Sequence, residues 1–528
     1  MTITRRELFT VGLRVAGGLA LASCVPASPQ TPAAGSAAPA TLKPGGNVIT
    51  ADINDAVSLD PAYMRALPGR RPGRALYDSL VELDENNNII PNLVETWETP
   101  NATTWVFHLK RGVKFHDGTP FNAEAVKFHF DRHLDPKVKS SRSGELANVA
   151  GVEVVDDATV RLRTKVPAPH FLFLLFDWSG YVVSPTAVQK WGNDDFGMHA
   201  VGTGPFRFVE YKPSERILLE KNPDYWEKGK PYLDGLTFRP IPVDATRLVE
   251  VRSGGAHIGH DVPLADVQRV SQLSEIKLSS IVGVRMDIWN WNPVESPYGR
   301  NVAFRQALNW TLDRDAIHKS IFFNTGRVSY APIFPGSPFF DDNYKPFTRD
   351  LNKAKQLMDQ AYKEGVPSPA KFTLYMPSTD VVAQKLSQIV QANYNDLGVT
   401  VDIQSEDGAA AQARNDNGGF TLAVAFGWWA WRPDPTQGYL RSIFHSKSTY
   451  SKRIVADAEI DRLIDAGDVE PSLDKRKTIY GQLWNRISEI GAAVLFHSGE
   501  GFVSLSPKLE GWVHRRDDQP RYKNLRLQ

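Results

Sequence analysis

The sequence is short of cysteine and has no excess of charge of either sign. Its 528 residues contain a single cysteine, Cys24, so neither an internal disulfide nor a cysteine-rich metal site can form. The 61 lysine and arginine residues nearly balance the 60 aspartate and glutamate residues, which leaves a formal net charge of +1. Because nucleic-acid-binding proteins usually present a basic surface, this balance argues against nucleic acid as a partner.

Signatures of catalysis are missing as well. The sequence contains neither a Gly-x-Ser-x-Gly elbow nor a P-loop. Gly202 and Gly204 form a lone Gly-x-Gly followed by Pro205, which has no N–H to offer a phosphate, so a structural turn is favoured. Ser498 follows His497, but we interpret it as a residue at a strand end. We therefore expect no catalytic residues, no cofactor and no enzyme activity, with an extracytoplasmic hydrolase as the alternative from another class.

One histidine pair has a spacing that suits a metal. His129 and His133 are four residues apart, so on a helix both imidazoles would face the same side. The segment lacks the glutamate that follows the first histidine in zinc hydrolases. Phe128 and Phe130 are expected on the buried face, which would leave the histidines near solvent. We therefore predict no metal site.

The N-terminus has the layout of an export signal. Residues 1–24 combine Arg5 and Arg6, a short apolar stretch over residues 8–21 and an end made of small residues. The apolar stretch is shorter than the roughly 20 residues that a membrane-spanning helix needs. The last four residues, Leu-Ala-Ser-Cys, resemble the lipobox of bacterial lipoproteins. We predict that Cys24 is lipidated, and an ordinary signal with a chance cysteine is the alternative.

The segment around this signal adds two expectations. Residues 4–9 resemble a twin-arginine export motif, although export by the general secretory route stays open. Residues 25–43 are mostly proline, alanine, serine and threonine, which predicts a disordered tether. A lipid on Cys24 followed by such a tether would hold a globular body at a membrane surface.

Beyond residue 43, strand and helix signals alternate, and no run approaches the length of a membrane span. Residues 104–109 alternate apolar and polar side chains with the period of a strand, and residues 152–162 are typical of a hairpin with an acidic turn. Apolar residues with helical spacing occur at residues 303–312 and again at residues 460–490. The chain is therefore predicted to be mixed α/β.

An unusual aromatic segment lies at residues 427–435. It holds three of the 13 tryptophans beside one arginine and one aspartate. These five residues are Trp428, Trp429, Trp431, Arg432 and Asp434. The segment follows an apolar strand, and because neighbours on a strand alternate faces, the three tryptophans cannot all point into one core. We predict that at least one lines a ligand cleft, where it would offer apolar surface and a cation–π face. Core packing ahead of a proline-terminated turn is the alternative.

Several further segments are informative through their sequence and their order along the chain. They are residues 57–61 (VSLDP), 75–81 (ALYDSLV), 91–97 (PNLVETW), 105–126 (WVFHLKRGVKFHDGTPFNAEAV), 202–206 (GTGPF), 222–226 (NPDYW), 302–308 (VAFRQAL) and 313–317 (DRDAI). In this order they resemble the large extracytoplasmic solute-binding proteins of bacterial ABC importers, family 5, the peptide/nickel type. The resemblance extends over essentially the whole chain after residue 43.

The resemblance implies a fold and a division into domains. The fold would be α/β and two-lobed, like the periplasmic binding proteins (type II, large cluster C-like), with an extra small domain inserted in the first lobe. Crossing strands would join the lobes, and a ligand would be buried between them as they close. The implied division is 44–80 plus 201–285 plus 496–528 for the first lobe, 81–200 for the inserted domain and 286–495 for the second lobe.

The resemblance also implies a function and its partners. The protein would capture a ligand, first of all a peptide, in the periplasm or at the outer face of the cytoplasmic membrane. It would deliver that ligand to an ABC permease and its ATPase subunits. We expect a monomer that meets the membrane through its lipid anchor. An opine, a nickel chelate or an oligosaccharide is the alternative ligand.

Specificity is where the chain departs from its relatives. Dipeptide-binding relatives hold the ligand's ammonium with an aspartate just after the tryptophan of the aromatic segment, and here that position is Trp431 or Arg432. Asp434 precedes a proline and is also suited to capping a turn. The arginine that some relatives use for the peptide carboxylate is expected after Met376-Pro377 and has no counterpart there. Met376 and Ser378 are nevertheless expected to contact the ligand.

Overall fold

The protein is described from a computed structural model. It covers residues 45–64, 67–378, 380–407, 410, 413–414, 418–424, 439–447 and 455–528. Cys24, the predicted export signal and most of the tether lie outside the described residues, as does the aromatic segment at 427–435. Within the described ranges, no helix combines the length and the apolar character that crossing a bilayer would require.

The described residues form nineteen strands and thirteen α-helices. The strands are Asn47–Asp52 (β1), Val81–Leu83 (β2), Ile89–Pro91 (β3), Val94–Asn101 (β4), Thr104–Leu109 (β5), Val149–Asp156 (β6), Thr159–Thr164 (β7), Phe206–Lys212 (β8), Arg216–Lys221 (β9), Gly235–Pro240 (β10), Ile258–Gly259 (β11), Lys277–Trp291 (β12), Arg327–Val328 (β13), Lys371–Pro377 (β14), Thr400–Glu406 (β15), Leu422–Val424 (β16), Ala493–Leu505 (β17), Leu509–Glu510 (β18) and Arg526–Leu527 (β19). The helices are Leu67–Leu76 (α1), Ala123–Leu134 (α2), Pro185–Asp195 (α3), Asp244–Ser253 (α4), Val267–Val270 (α5), Pro297–Arg300 (α6), Val302–Thr311 (α7), Arg314–Ile321 (α8), Leu351–Lys363 (α9), Val381–Asn395 (α10), Tyr439–Phe444 (α11), Ala458–Val469 (α12) and Leu473–Glu489 (α13).

Most of these strands belong to one sheet of eleven strands, in the order β15-β14-β16-β12-β17-β11-β1-β10-β9-β8, with β13 pairing β17. The two long strands β12 and β17 lie at its centre and run antiparallel from Lys277 opposite Leu505 to Asn290 opposite Ala493. On one side of this pair β11, β1 and β10 run parallel, and on the other side β14, β15 and β16 do so. A separate four-stranded sheet has the order β4-β5-β7-β6.

The hydrophobic core divides along the central strand pair. One cluster joins the four-stranded sheet to β1, β10 and the C-terminal residues. A second cluster contains the C-terminal part of β12 and the N-terminal part of β17 with helices α7 to α13. A smaller third cluster lies around α4 and β11. The fold is therefore mixed α/β and two-lobed, as predicted, while the residue boundaries given above for the lobes and the inserted domain stay a prediction.

The local predictions hold where periodicity is clear. Strand β5 buries Trp105, Phe107 and Leu109 and leaves the residues between them partly exposed. Strands β6 and β7 form the predicted hairpin, with Val152 opposite Leu162. Helix α7 buries the predicted apolar face, and α12 and α13 together account for the apolar spacing over residues 460–490.

Two arginines attach helices α7 and α8 to strand β17 and to the residues just before it. Arg305 of α7 donates to the carbonyl oxygens of Ile490 and Gly491 at 3.0 and 3.1 Å. Arg314 of α8 donates to the carbonyl oxygen of Leu495 at 2.8 Å. No carboxylate accompanies either group in the described surroundings, and burial lowers the pKa of both arginines to about 10. Backbone oxygens satisfy the Arg305 guanidinium, and backbone oxygens together with Oδ1 of Asn309 satisfy that of Arg314, which fixes α7 and α8 against the strand.

The histidine pair on α2 corrects one prediction. His129 and His133 are buried together with Phe130, at 1% and 2% exposure, rather than lying near solvent. The Nε2–H of His129 donates to the carbonyl oxygen of Ser179 at 2.9 Å, and Nδ1 of His133 lies 2.7 Å from the hydroxyl of Ser140. The helix packs more of its surface than its sequence pattern indicated, because α3 and the segment around Ser179 cover the second face. Within the described part of the chain, no three metal-ligating side chains come together.

The Gly202–Gly204 turn is a packing feature, as predicted. The N–H of Gly204 donates to the carbonyl oxygen of Leu76 at 3.0 Å. A Cβ added at Gly202 would lie 2.3 Å from that oxygen, and one added at Gly204 would lie 2.5 Å from the carbonyl oxygen of Ala75. Only glycine lets the two backbones approach so closely.

Replacing Gly204 by alanine should lower the free energy of unfolding by about 2 kcal/mol or more, because the backbone of α1 must move to admit the methyl group. Gly481 in α13 is the matched control, since a Cβ there meets nothing within 4 Å. Gly481→Ala should raise the free energy of unfolding by up to about 1 kcal/mol. Urea denaturation of both variants measures these changes, and a Gly204→Ala protein as stable as the wild type would contradict the close contact.

Acid should destabilise the fold through its buried histidines. Burial lowers the pKa of His129 from 6.5 to about 4. Below pH 6.5 the unfolded chain therefore binds a proton that the folded chain refuses, so stability falls as the pH drops from 6.5 to 4. Over this pH interval, the free energy of unfolding of His129→Gln should fall by up to about 3 kcal/mol less than that of the wild type. His108→Gln, on the exposed face of β5, is the control, and equal pH slopes for the wild type and His129→Gln in urea titrations would refute this account.

Candidate ligand-binding site

The central strand pair changes its register close to the predicted boundary between the lobes. The register of β12 against β17 shifts between Val282 and Arg285, and Gly283 in this bulge has a φ of 95°. On β17, Glu500 lies opposite Val282, Gly499 opposite Arg285 and Gly501 opposite Ile281. A bulge with glycines on the neighbouring strand is a point at which two paired strands can bend without losing the ladder on either side.

Three strands of the second lobe end near this crossing point. Strands β14, β15 and β16 are parallel, so their carboxyl ends lie at one edge of the sheet. Strand β12 is antiparallel to β16, with Trp289 opposite Val424, so Arg285 and Asp287 lie just beyond the end of β16. In open α/β sheets ligands bind outside the carboxyl ends of the strands, at the point where the strand order reverses.

Two predicted ligand contacts lie at this edge. Met376 is the penultimate residue of β14 and is 7% exposed, whereas Ser378 follows the strand and is exposed. The N–H of Ser378 donates to the carbonyl oxygen of Glu406 at the end of β15, at 2.6 Å, and the side-chain amide of Gln384 donates to the carbonyl oxygen of Ser378, at 2.6 Å. These bonds hold Ser378 between β15 and α10. The aromatic segment follows β16 at this edge in the sequence, and its own five predicted contacts lie outside the described residues.

An ion-pair network that sequence reasoning missed stands beside Met376 and Ser378. Arg285 of β12 binds Asp287 at 2.8 Å and Asp380 at 3.0 Å. Asp380 also caps α10 by accepting from the N–H of Ala383 at 2.9 Å. Burial alone would lower the pKa of the Arg285 guanidinium, but the two carboxylates raise it overall, so it stays charged. For Asp287 burial acts to raise the pKa, and the Arg285 charge lowers it on balance.

Some relatives have an arginine after the position of Met376-Pro377. In this chain the network places an arginine near that position, but the arginine comes from β12. Arg285 and Asp380 are 95 residues apart in sequence, and no local pattern indicates that they meet. Asp380 alone carries a readable signal, since an aspartate directly before a helix is typical of an N-cap. The network joins the crossing strand to the loop that presents Ser378, and so positions that loop.

A Ser-His-Asp arrangement at the same strands is not a catalytic triad. His497 lies 3.4 Å from Asp287 through Nδ1, and its Nε2 lies 2.7 Å from the carbonyl oxygen of Thr325. Nε2 must therefore donate to that carbonyl and is not available to take a proton from the Ser498 hydroxyl. Ser498 is also in the middle of β17, fully buried, which corrects its assignment to a strand end.

In the first lobe, a cluster of charged residues lies at the ends of the strands. Arg71 in the middle of α1 contacts Asp52, the last residue of β1, and binds Asp518 at 2.6 Å. Asp261, just after β11, lies 3.8 Å from the same guanidinium and is partly exposed. The N–H of Val262 donates to the carbonyl oxygen of Phe502 of β17, which connects this cluster to the crossing strand. The edge thus combines one buried cation with three carboxylates.

Comparisons with known proteins agree with this architecture. The glutathione-binding protein GsiB of Pectobacterium atrosepticum is 29% identical over 363 residues, which cover 69% of this chain and 70% of that protein. The periplasmic binding protein DppA from Helicobacter pylori, solved in complex with the peptide STSA, is 25% identical with a TM-score of 0.81 over 92% of this chain and 98% of that one.

A third similar protein is AgaA from A. tumefaciens R10, solved in complex with agropinic acid. It is 25% identical, with a TM-score of 0.79 over 92% of this chain and 99% of that one. The model of the bacterial extracellular solute-binding proteins, family 5, matches residues 88–451. That match spans the β4–β7 sheet, the first of the crossing strands and the carboxyl ends of β14, β15 and β16, and the chain accordingly belongs to the bacterial extracellular solute-binding proteins of family 5.

Proposed function

We propose that this protein captures a short peptide between its two lobes, outside the cytoplasmic membrane, and delivers it to an ABC permease with its ATPase subunits. The observation that carries the proposal is the convergence of three parallel strand ends on the crossing point of β12 and β17. Peptide is favoured as the ligand because GsiB binds glutathione and DppA was solved with a peptide. In this role the protein catalyses nothing.

The ligand would be held by both lobes and enclosed as they close. The second lobe would contribute Met376 and Ser378, with Trp428, Trp429, Trp431, Arg432 and Asp434 of the aromatic segment. Support comes from the position of that segment after β16, whose end lies at the same edge as those of β14 and β15. Stacked aromatic faces and backbone hydrogen bonds would suit peptides of varied sequence. Closure would bend the strand pair at the bulge after Val282.

The proposal includes where the protein is held and how it is divided. Residues 1–24 would direct export, Cys24 would carry the lipid, and residues 25–43 would serve as a tether for a monomeric body. The first lobe would comprise residues 44–80, 201–285 and 496–528, and the second lobe residues 286–495. The separate β4–β7 sheet supports an inserted domain at residues 81–200.

Native mass spectrometry of the purified protein tests the ligand class. A peptide released on denaturation, with a mass that matches a composition of amino acids, is the expected result. Release of an opine, a nickel chelate or an oligosaccharide would replace peptide by that ligand and leave the solute-binding role in place. Conversion of the released compound into products by the pure protein would refute the binding-protein assignment and support a hydrolase.

The aromatic segment should carry much of the affinity. At least one of Trp428→Ala, Trp429→Ala and Trp431→Ala should weaken peptide binding tenfold or more, which corresponds to about 1.4 kcal/mol. Isothermal titration with the copurified peptide measures this loss. Trp191→Ala is the control, since Trp191 stacks on His199 in the predicted inserted domain. If all three variants bind as tightly as the wild type, the aromatic segment is not part of the site.

A further inference from the structure

A second cavity lies in the second lobe, on the other side of the central strand pair. It has a volume of about 310 Å³, opens to solvent and is lined by α8, strand β13, the segment after it and Trp484 of α13. In the sheet order, β16, β12 and β17 separate Met376 on β14 from β13. Four strand spacings of about 4.8 Å place the two sites roughly 19 Å apart. The cavity is therefore separate from the edge at which the ligand of the importer is proposed to bind.

The lining of this cavity carries charges of both signs that do not neutralise each other. The positive charges belong to Arg327 and Lys345, and the negative charges to Asp315, Asp341 and Asp342. Among the described residues, none of these five side chains forms an ion pair with another, although ion pairs are frequent elsewhere in the protein. The gap between them is thus wider than an ion pair and has the volume of a small molecule.

His318 of α8 also lines the cavity. Its Nδ1 is buried and makes no hydrogen bond in the described structure, so this nitrogen lies on the side of the ring away from the cavity. Burial lowers the pKa of His318, so the imidazole is neutral near pH 7 and adds no positive charge to the lining.

The rest of the lining is aromatic. Tyr330, Phe340 and Trp484 contribute ring surface, and the hydroxyl of Tyr344 is fixed by donation to the carbonyl oxygen of Trp484 at 2.6 Å. Apolar walls with a few polar groups of fixed position are typical of small-molecule sites. Together with separated charges of opposite sign, they suit a compact zwitterion with an apolar side chain.

We propose that this cavity is a second binding site, which takes a free α-amino acid with an apolar or aromatic side chain. The ligand carboxylate binds Arg327 and the His318 side of the cavity. Its ammonium binds Asp315 and the neighbouring aspartates, and its side chain packs on the aromatic wall. The site is adjacent to the crossing strands, because Arg327 and Val328 pair with Ser498 and His497 of β17.

Isothermal titration of the full chain with L-phenylalanine tests the proposal. Saturable binding is expected, with at least tenfold weaker binding of N-acetyl-L-phenylalanine, which lacks the ammonium, and of L-phenylalaninamide, which lacks the carboxylate. Absence of measurable L-phenylalanine binding, with the cavity holding only water, overturns the proposal. Equal binding of the blocked compounds also overturns it, since the charged lining would then play no part.

Variants locate the site. Arg327→Gln and Asp315→Asn should each weaken L-phenylalanine binding at least tenfold, and both residues are exposed, so the substitutions leave the core intact. Arg300→Gln and Asp359→Asn are matched controls on exposed residues outside the cavity, and should change the affinity less than twofold. Retained binding in both test variants would place the amino acid elsewhere and overturn the proposal.

The second site and the importer's ligand site are distinguished by a parallel titration. Peptide binding should stay within twofold of the wild type in Arg327→Gln, whatever the outcome for the amino acid. A peptide titration that fails in every variant and in the wild type counts against the proposed function alone. Loss of peptide binding together with amino-acid binding in Arg327→Gln would show one shared site and overturn the second.

Discussion

The antiparallel pairing of β12 with β17 is the constraint on which the rest of the structure depends. Its register runs from Lys277 opposite Leu505 to Asn290 opposite Ala493, so one continuous ladder belongs to both lobes. The register shifts at two places, between Val282 and Arg285, where Gly283 has a φ of 95°, and between Asp287 and Ile288. Bending at such a shift costs fewer hydrogen bonds than bending within the regular ladder. The same backbone therefore joins the lobes and contains the points at which the strand pair bends most easily.

The position of the ligand edge follows from that register. Once Trp289 pairs with Val424, the ends of β16 and of its parallel neighbours must lie beside Arg285 and Asp287. The ion pair from Arg285 to Asp380 then fixes the first turn of α10 against the crossing strand. The loop that carries Ser378 is thus held by the element that bends. If the strand pair bends as proposed, the change of angle would reach this loop through charged contacts rather than through a flexible linker.

The sequence predicts the elements whose apolar pattern is local. It does not predict burial or contacts that depend on residues distant in the chain. The period-two alternation around Phe107 predicts β5 because every second residue packs on a single core. The spacing of His129 and His133 misled the prediction, since the pattern shows one apolar face and cannot show that α3 covers another. The meeting of Arg285 with Asp380 has no local signature at all. The order of family motifs, rather than any periodicity, indicated the two lobes.

Buried charge is stabilised in two ways in this protein. Arg305 and Arg314 donate mainly to backbone oxygens, which have fixed directions and no net charge, so the contacts hold α7 and α8 against β17. Arg71 is surrounded instead by the carboxylates of Asp52 and Asp518, with a third acid partly exposed nearby. Because this guanidinium and its two closest carboxylates are buried, separating them would leave an uncompensated charge in the interior. The ion pairs therefore fix α1 to the end of β1 and to the C-terminal segment, as the backbone carbonyls fix α7 and α8 in the other core.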